Sequence, residues 1–181
     1  PQDIARRAAI DGPHRHGRLV RSGCRRQNRR MTLEQQVQRL VDRTAISELL
    51  FSFARALDTR DWETYAANYA EDGVLELPDP QGGAPIVLRA GQLRDAVPRS
   101  LGRYRATQHL SCNHQVEIDV DRARSRSYLL AVHVGPGPRE RWSAGGWYDC
   151  DYVRTDAGWK FQRVRLSVAW LDGEPGTIRP E

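Results

Sequence analysis

Between residues 33 and 57 apolar side chains recur three and four positions apart, at Leu33, Val37, Leu40, Val41, Ile46, Leu49, Leu50, Phe53 and Leu57. That spacing lays them along one wide stripe of a long helix. Thr32 and Gln35 stand where a capping box would open it, and Thr44 marks a bend or break inside the run. Asp61 then reads as the N-cap of a second helix, whose apolar side is Trp62, Tyr65 and Tyr69 and which stops near Gly73. The two helices form a hairpin. Residues 73–78 and 85–89 read as short strands around a Pro/Gly loop, and residues 90–101 as a short helix with Leu93 and Val97 inward and Pro98 near its end.

From Ala106 the period changes to two and stays there. Residues 106–120, 123–135, 141–154 and 158–170 read as four long strands, connected at Asp121-Arg122, at a Gly/Pro loop and at residues 155–157. Short connections between consecutive strands predict an antiparallel meander. Helices first and a long curved sheet last is an α+β order, with the helices on one face of the sheet. No internal repeat interrupts this order.

At 181 residues and 39% hydrophobic content the chain suits one domain with one core. Its net charge of +5 is unevenly placed. Residues 1–30 hold nine arginines against Asp3 and Asp11, so the remainder carries a net −2. That front segment shows no sustained period and cannot build a core, which predicts a disordered extension ahead of a domain at residues 31–171. A basic arm for nucleic acid or an acidic membrane is the functional reading of such a charge run, but no aromatic residue interleaves the arginines. Residues 172–181 read as a loose tail. Three cysteines without a C-x-x-C spacing suit a reducing compartment, and no apolar run approaches the roughly 18 residues of a membrane span, so a cytoplasmic protein is expected.

The chemistry centres on Asp58, which falls on the apolar stripe at the end of the long helix. A carboxylate there needs a partner, since an unpaired buried charge costs several kcal/mol. His109, on the first long strand, is the candidate. A carboxylate holding one imidazole nitrogen fixes the tautomer and leaves the other nitrogen free to take a proton, the arrangement of a general base. Taken alone, Asp58 also suits simple helix capping. His109 shares its strand phase with Ser111 and Asn113, while Leu110, Cys112, Val116 and Ile118 take the other phase. Either a polar face lines the cavity and the apolar face packs outward against another subunit, or a bulge shifts the register before Val116. The remaining candidates for the substrate wall are Phe53, Trp62, Tyr65, Asn113, Leu129, Ala131, His133 and Trp147. Gly145-Gly146 suggests a close backbone approach or a bulge, and Asp149 and Asp151, on one face, are expected to turn to water. No spacing suggests a metal site.

Several phrases together resemble the SnoaL-like branch of the nuclear transport factor 2-like superfamily. They are Leu57-Asp58 with Asp61-Trp62, Ala70-Glu71-Asp72-Gly73-Val74, Gln108-His109 with Asn113, and Tyr152-Val153-Arg154-Thr155-Asp156 before Gly158-Trp159-Lys160-Phe161. The resemblance covers about residues 33–170. It implies a cone of curved antiparallel sheet, about six strands including short edge strands, wrapped on the helix hairpin. It also implies a catalytic dyad of Asp58 and His109, as in scytalone dehydratase, bile acid dehydratase and hexachlorocyclohexane dehydrochlorinase. The expected activity is therefore a cofactor-independent, dehydratase-like elimination on a small cyclic hydrophobic substrate. The alternatives are polyketide cyclase or ketosteroid isomerase chemistry, and a non-catalytic ligand-binding or dimerisation module. Relatives that carry Tyr or Lys five residues before the Asp are not matched, because that place is Phe53; Tyr65, Tyr69, Tyr128 and His133 could supply the missing polar group. A homodimer through the sheet face is expected, with no membrane partner and no nucleic acid.

Overall fold

The computed structural model describes residues 31–137 and 140–173. The expectations for residues 1–30, and for the tail beyond residue 173, lie outside the described residues. The described residues from Thr32 onward belong to one compact unit. Helix α1 spans Leu33–Thr59 without a break, α2 spans Trp62–Ala67 and α3 spans Ala90–Leu101. Strands β1 (Tyr69–Leu77), β2 (Ile86–Arg89), β3 (Ala106–Asp119), β4 (Arg122–Val134), β5 (Arg141–Thr155) and β6 (Gly158–Asp172) form one sheet in the order β2-β1-β6-β5-β4-β3. This is an α+β fold with a curved, open, mixed six-stranded sheet. None of the described helices is long and apolar enough to cross a membrane.

The Thr32–Gln35 capping box opens α1 as expected. Thr44 does not break the helix, because its hydroxyl bonds back to the Leu40 carbonyl inside the same turn. The buried stripe differs from the expected one. Leu33, Val37, Leu40 and Val41 are all more than half exposed, while Asp42, Ile46, Leu50, Phe53 and Leu57 are buried. The stripe thus enters through a charged residue, and the apolar side chains of the first turns of α1 lie exposed. Asp42 is stabilised there by both guanidinium nitrogens of Arg154, at 2.7 and 2.8 Å, and by the Trp159 indole at 3.1 Å.

Asp61 caps α2 through the Thr64 amide. That helix stops at Ala67 rather than near Gly73, because Tyr69 already belongs to β1 and the Asn68 carbonyl accepts from the Phe161 amide on β6. Strands β3 to β6 form the predicted antiparallel meander. The added feature is β1, which runs parallel to β6 and antiparallel to β2. Asp172, expected in the tail, closes β6.

Strand β3 contains a bulge. Register shifts between Cys112 and Gln115, and Asn113 lies at φ 57°. Before the bulge Thr107 and Ser111 are buried and His109 is half-buried; after it Val116 is buried and Ile118 packs on the core. The phase reversal that the sequence left open is therefore a bulge, and Leu110 and Cys112 do face outward. Gly146 has no room for a side chain, since a Cβ there would collide with the Ser167 carbonyl, and the register of β6 slips beside it. On the outer face Asp149 pairs with Arg126 at 2.7 Å and Asp151 with Arg163 at 2.6 Å, so these aspartates are engaged across strands rather than left to water alone.

Candidate active site

Helix α1 ends at the edge of the sheet beside β3. Arg60, in the left-handed region at φ 64°, is its C-cap and turns the chain toward α2. That turn places Asp58 against the edge strand. One carboxylate oxygen, Oδ1, accepts from His109 Nδ1 at 2.7 Å and from the Thr107 hydroxyl at 3.0 Å; the other, Oδ2, accepts from the His109 backbone amide at 2.8 Å. The Thr107 hydroxyl accepts in turn from Arg60 at 2.7 Å, and Arg60 also donates to the Leu57 and Tyr104 carbonyls. Helix end, turn and edge strand are thus tied through one carboxylate.

Because the carboxylate can only accept, Nδ1 must carry the shared proton, and a neutral ring then holds its lone pair on Nε2. Burial pushes the Asp58 carboxyl upward. The hydrogen bonds from the His109 ring and amide, the attraction of that ring and the Thr107 hydrogen bond outweigh it, and the carboxyl titrates below its usual value. Asp58 therefore stays ionised while it orients the imidazole.

His133, on the neighbouring strand β4, meets the His109 ring edge-on at 5.3 Å between centroids and stacks on Trp142 at 3.8 Å. It is only 4% exposed, and its Nδ1 has no partner among the described residues. Burial, helped by the neighbouring His109, pushes its pKa down to about 3, so it is neutral near pH 7. Tyr104 completes this wall: its hydroxyl accepts from the Trp142 indole at 3.0 Å and its ring contacts His133. An open depression of about 390 Å³ touches the site at Asp58 and Thr107 and runs along Ala106, Gln108, Val132 and Val134.

Other expected wall residues distribute differently. Phe53, Tyr65, Leu129 and Ala131 are buried, as members of the packed core rather than of the open depression. Phe53 lies against Tyr65, Tyr148 and Phe161. Trp62 packs at the core margin with Arg60 over its ring. Two residues are misplaced in the sequence reading. Asn113 is exposed because the bulge turns it away from the phase of His109. Trp147 lies opposite Tyr128, itself half exposed, while its neighbour Tyr148 takes the buried face. Sequence reasoning missed Arg60, Thr107, Tyr104 and Trp142. Thr107 could have been found from its phase, two residues before His109; Trp142 could not, since its contact depends on the β4–β5 register.

Residues 38–165 match the family described as SnoaL-like domain. An uncharacterised protein of Mycobacterium tuberculosis is 29% identical over 128 residues, which is 70% of this chain and 85% of that protein. A Novosphingobium aromaticivorans structure, provisionally assigned as a scytalone dehydratase, superposes with a TM-score of 0.68 at 24% identity, over 77% of this chain and 91% of that one. The hexachlorocyclohexane dehydrochlorinase LinA-type3 of Novosphingobium barchaimii gives 0.64 at 18% identity, over 81% and 99%. At these identities the two structures establish the shared fold.

Proposed function

The chain belongs to the SnoaL-like domain family, and on that footing we propose that it is a cofactor-independent lyase acting on a small cyclic hydrophobic substrate. His109 is the general base and Asp58 its orienting partner. In this reading Nε2 of His109 takes a proton from a substrate carbon, the C–H electrons form the new double bond, and the leaving group departs with its own bonding pair. The imidazolium then returns the proton to a departing hydroxide, alkoxide or halide, which restores the neutral ring. The observation that carries this reading is the 2.7 Å contact of Asp58 with His109 Nδ1, doubled by the bond from the His109 amide. A simple helix cap would not hold a strand imidazole by both its ring and its backbone. The likeness in fold to a provisionally assigned dehydratase and to a dehydrochlorinase supports the same class of reaction.

The test is the NMR titration of His109 in the wild type and in Asp58→Asn. A change in the His109 signal on removing the carboxylate is the result expected of two groups coupled in one site. With coupling established, His109→Ala abolishes turnover of elimination substrates while the fold persists. A titration that does not move would leave Asp58 as a cap and favour a ligand-binding module. Leu110, Tyr128, Leu130 and Trp170, all more than a third exposed, support the homodimer expectation, which sedimentation equilibrium would check.

A further inference from the structure

The Thr107 hydroxyl has one proton to give and two polar neighbours. Arg60 Nη1 lies 2.7 Å from its oxygen, and Asp58 Oδ1 lies 3.0 Å from it. A guanidinium can only donate and an ionised carboxylate can only accept, so the hydroxyl must receive from Arg60 and give to Asp58. Arg60 itself makes no hydrogen bond to the carboxylate; its other two bonds go to the Leu57 carbonyl at 2.7 Å and the Tyr104 carbonyl at 3.1 Å. The backbone does not ask for an arginine at this place. A φ of 64° past the end of a helix is the position glycine or asparagine fills most readily. The guanidinium, with its three partners, is what this residue adds to the turn.

We infer that Arg60 is a positioning residue for the proposed base: anchored on two carbonyls, its guanidinium compels the Thr107 hydroxyl to donate to Asp58. The inference rests on the reading of His109 as base and Asp58 as its partner. Three donors then meet the carboxylate, the His109 ring and Thr107 on Oδ1 and the His109 amide on Oδ2. A carboxylate so supplied attracts a further proton weakly. The shared proton therefore stays on Nδ1, and a proton taken from substrate stays at Nε2. Without Arg60 the hydroxyl is free to turn, and Asp58 becomes easier to protonate. Burial draws the Arg60 pKa down against the pull of the Asp58 charge, but a guanidinium remains a cation, so the direction of the chain does not reverse. His109, His133 and Tyr148 also interact with the Asp58 charge, from three different strands, and none of them bonds to the Thr107 hydroxyl.

The test is the ¹³C NMR titration of the Asp58 carboxyl in the full chain, as wild type, Arg60→Gly, Thr107→Val, the two combined, and Thr107→Ser. Glycine suits the left-handed backbone, so Arg60→Gly removes the guanidinium without straining the turn. The Asp58 midpoint is expected to rise in Arg60→Gly and in Thr107→Val, and to stay with the wild type in Thr107→Ser, which keeps the hydroxyl. On the Thr107→Val background, Arg60→Gly should add less than about half the rise it causes alone, because its route to the carboxylate is gone. A midpoint unmoved by Arg60→Gly, an equal rise on both backgrounds, or a serine variant that behaves as the valine one overturns the assignment. So does a change in melting temperature alone, which is all that a purely structural arginine would give. If Arg60→Gly fails to fold, the ¹⁵Nη resonances of Arg60 in the wild type decide: they shift as Asp58 takes up its proton, or the assignment is lost. The dyad is judged separately, by the His109 titration in Asp58→Asn, which can fail while the Asp58 carboxyl still responds to Arg60.

Discussion

Helix α1 carries two carboxylates on its inward side, Asp42 and Asp58, sixteen residues and about 24 Å of helix apart. Both titrate below the ordinary carboxylate value, and both reach across to a strand. Asp42 meets Arg154, a permanent cation, in a bidentate pair sealed by Trp159, with only 7% of its side chain exposed. Asp58 meets His109, a group that can gain or lose a proton, and keeps 23% of its side chain exposed beside an open depression. Burial alone therefore does not mark a functional carboxylate. In the reading proposed above, what sets Asp58 apart is a titratable partner and a carboxylate that borders the open depression.

The largest expected contrast is in activity. Asp58→Asn should reduce turnover by roughly a thousandfold, measured on an elimination substrate, because the ring loses its preferred tautomer and the charge that stabilises imidazolium. Asp42→Asn should leave turnover within a few-fold. The order reverses for stability. Asp42→Ala leaves Arg154 without its main partner and should lower the unfolding free energy by about 3 kcal/mol in urea titrations, more than Asp58→Asn does.

Acid separates the two regions further. Each depressed carboxyl contributes stability that is complete above the ordinary value of 3.8 and is lost as pH falls through its lower folded value. His133 acts earlier. Its folded pKa of about 3 lies below the ordinary 6.5, so between these values the unfolded chain binds the proton and stability falls as pH drops. The slope should approach roughly 1 kcal/mol per pH unit and vanish in His133→Phe, while the steeper loss below the carboxylate range persists.

The smallest effect concerns the turn that supports Arg154. Val120 lies at φ 51°, a strained conformation for a β-branched residue, and its carbonyl accepts from Arg154 at 3.1 Å. Val120→Asn should raise stability by about 1 kcal/mol, read as a higher melting temperature, without disturbing the pair.

Local pattern made most of this fold legible. The period-two segments became strands within a residue or two, and the α1 capping box and α3 appeared where expected. What was not legible depends on contacts between distant residues. Val41 and Asp42 are adjacent, and only the position of Arg154 and Trp159 makes the aspartate, rather than the valine, the buried one. The parallel pairing of β1 with β6 leaves no periodic trace. Asn113 lost its place to a bulge, and Trp147 lost its place to Tyr148 because the phase of β5 is fixed only by pairing with β4. The Asp58–His109 contact could be named from the sequence because each residue conflicts with its own element: a charge on an apolar stripe, and a histidine opposite in phase to its apolar neighbours.

The bond from the His109 amide to Asp58 has a further consequence for how the molecule behaves in company. Strand β3 is the last strand of its sheet, and its outer rim offers the main-chain groups on which a foreign strand could template itself. Asp58 occupies one of these, the His109 amide, and Arg43 another, the His114 carbonyl at 3.3 Å. The carboxylate proposed to orient a base thereby also covers part of this rim, and a side chain there that cannot accept a hydrogen bond is expected to leave the His109 amide open to strand addition, read as concentration-dependent assembly by light scattering.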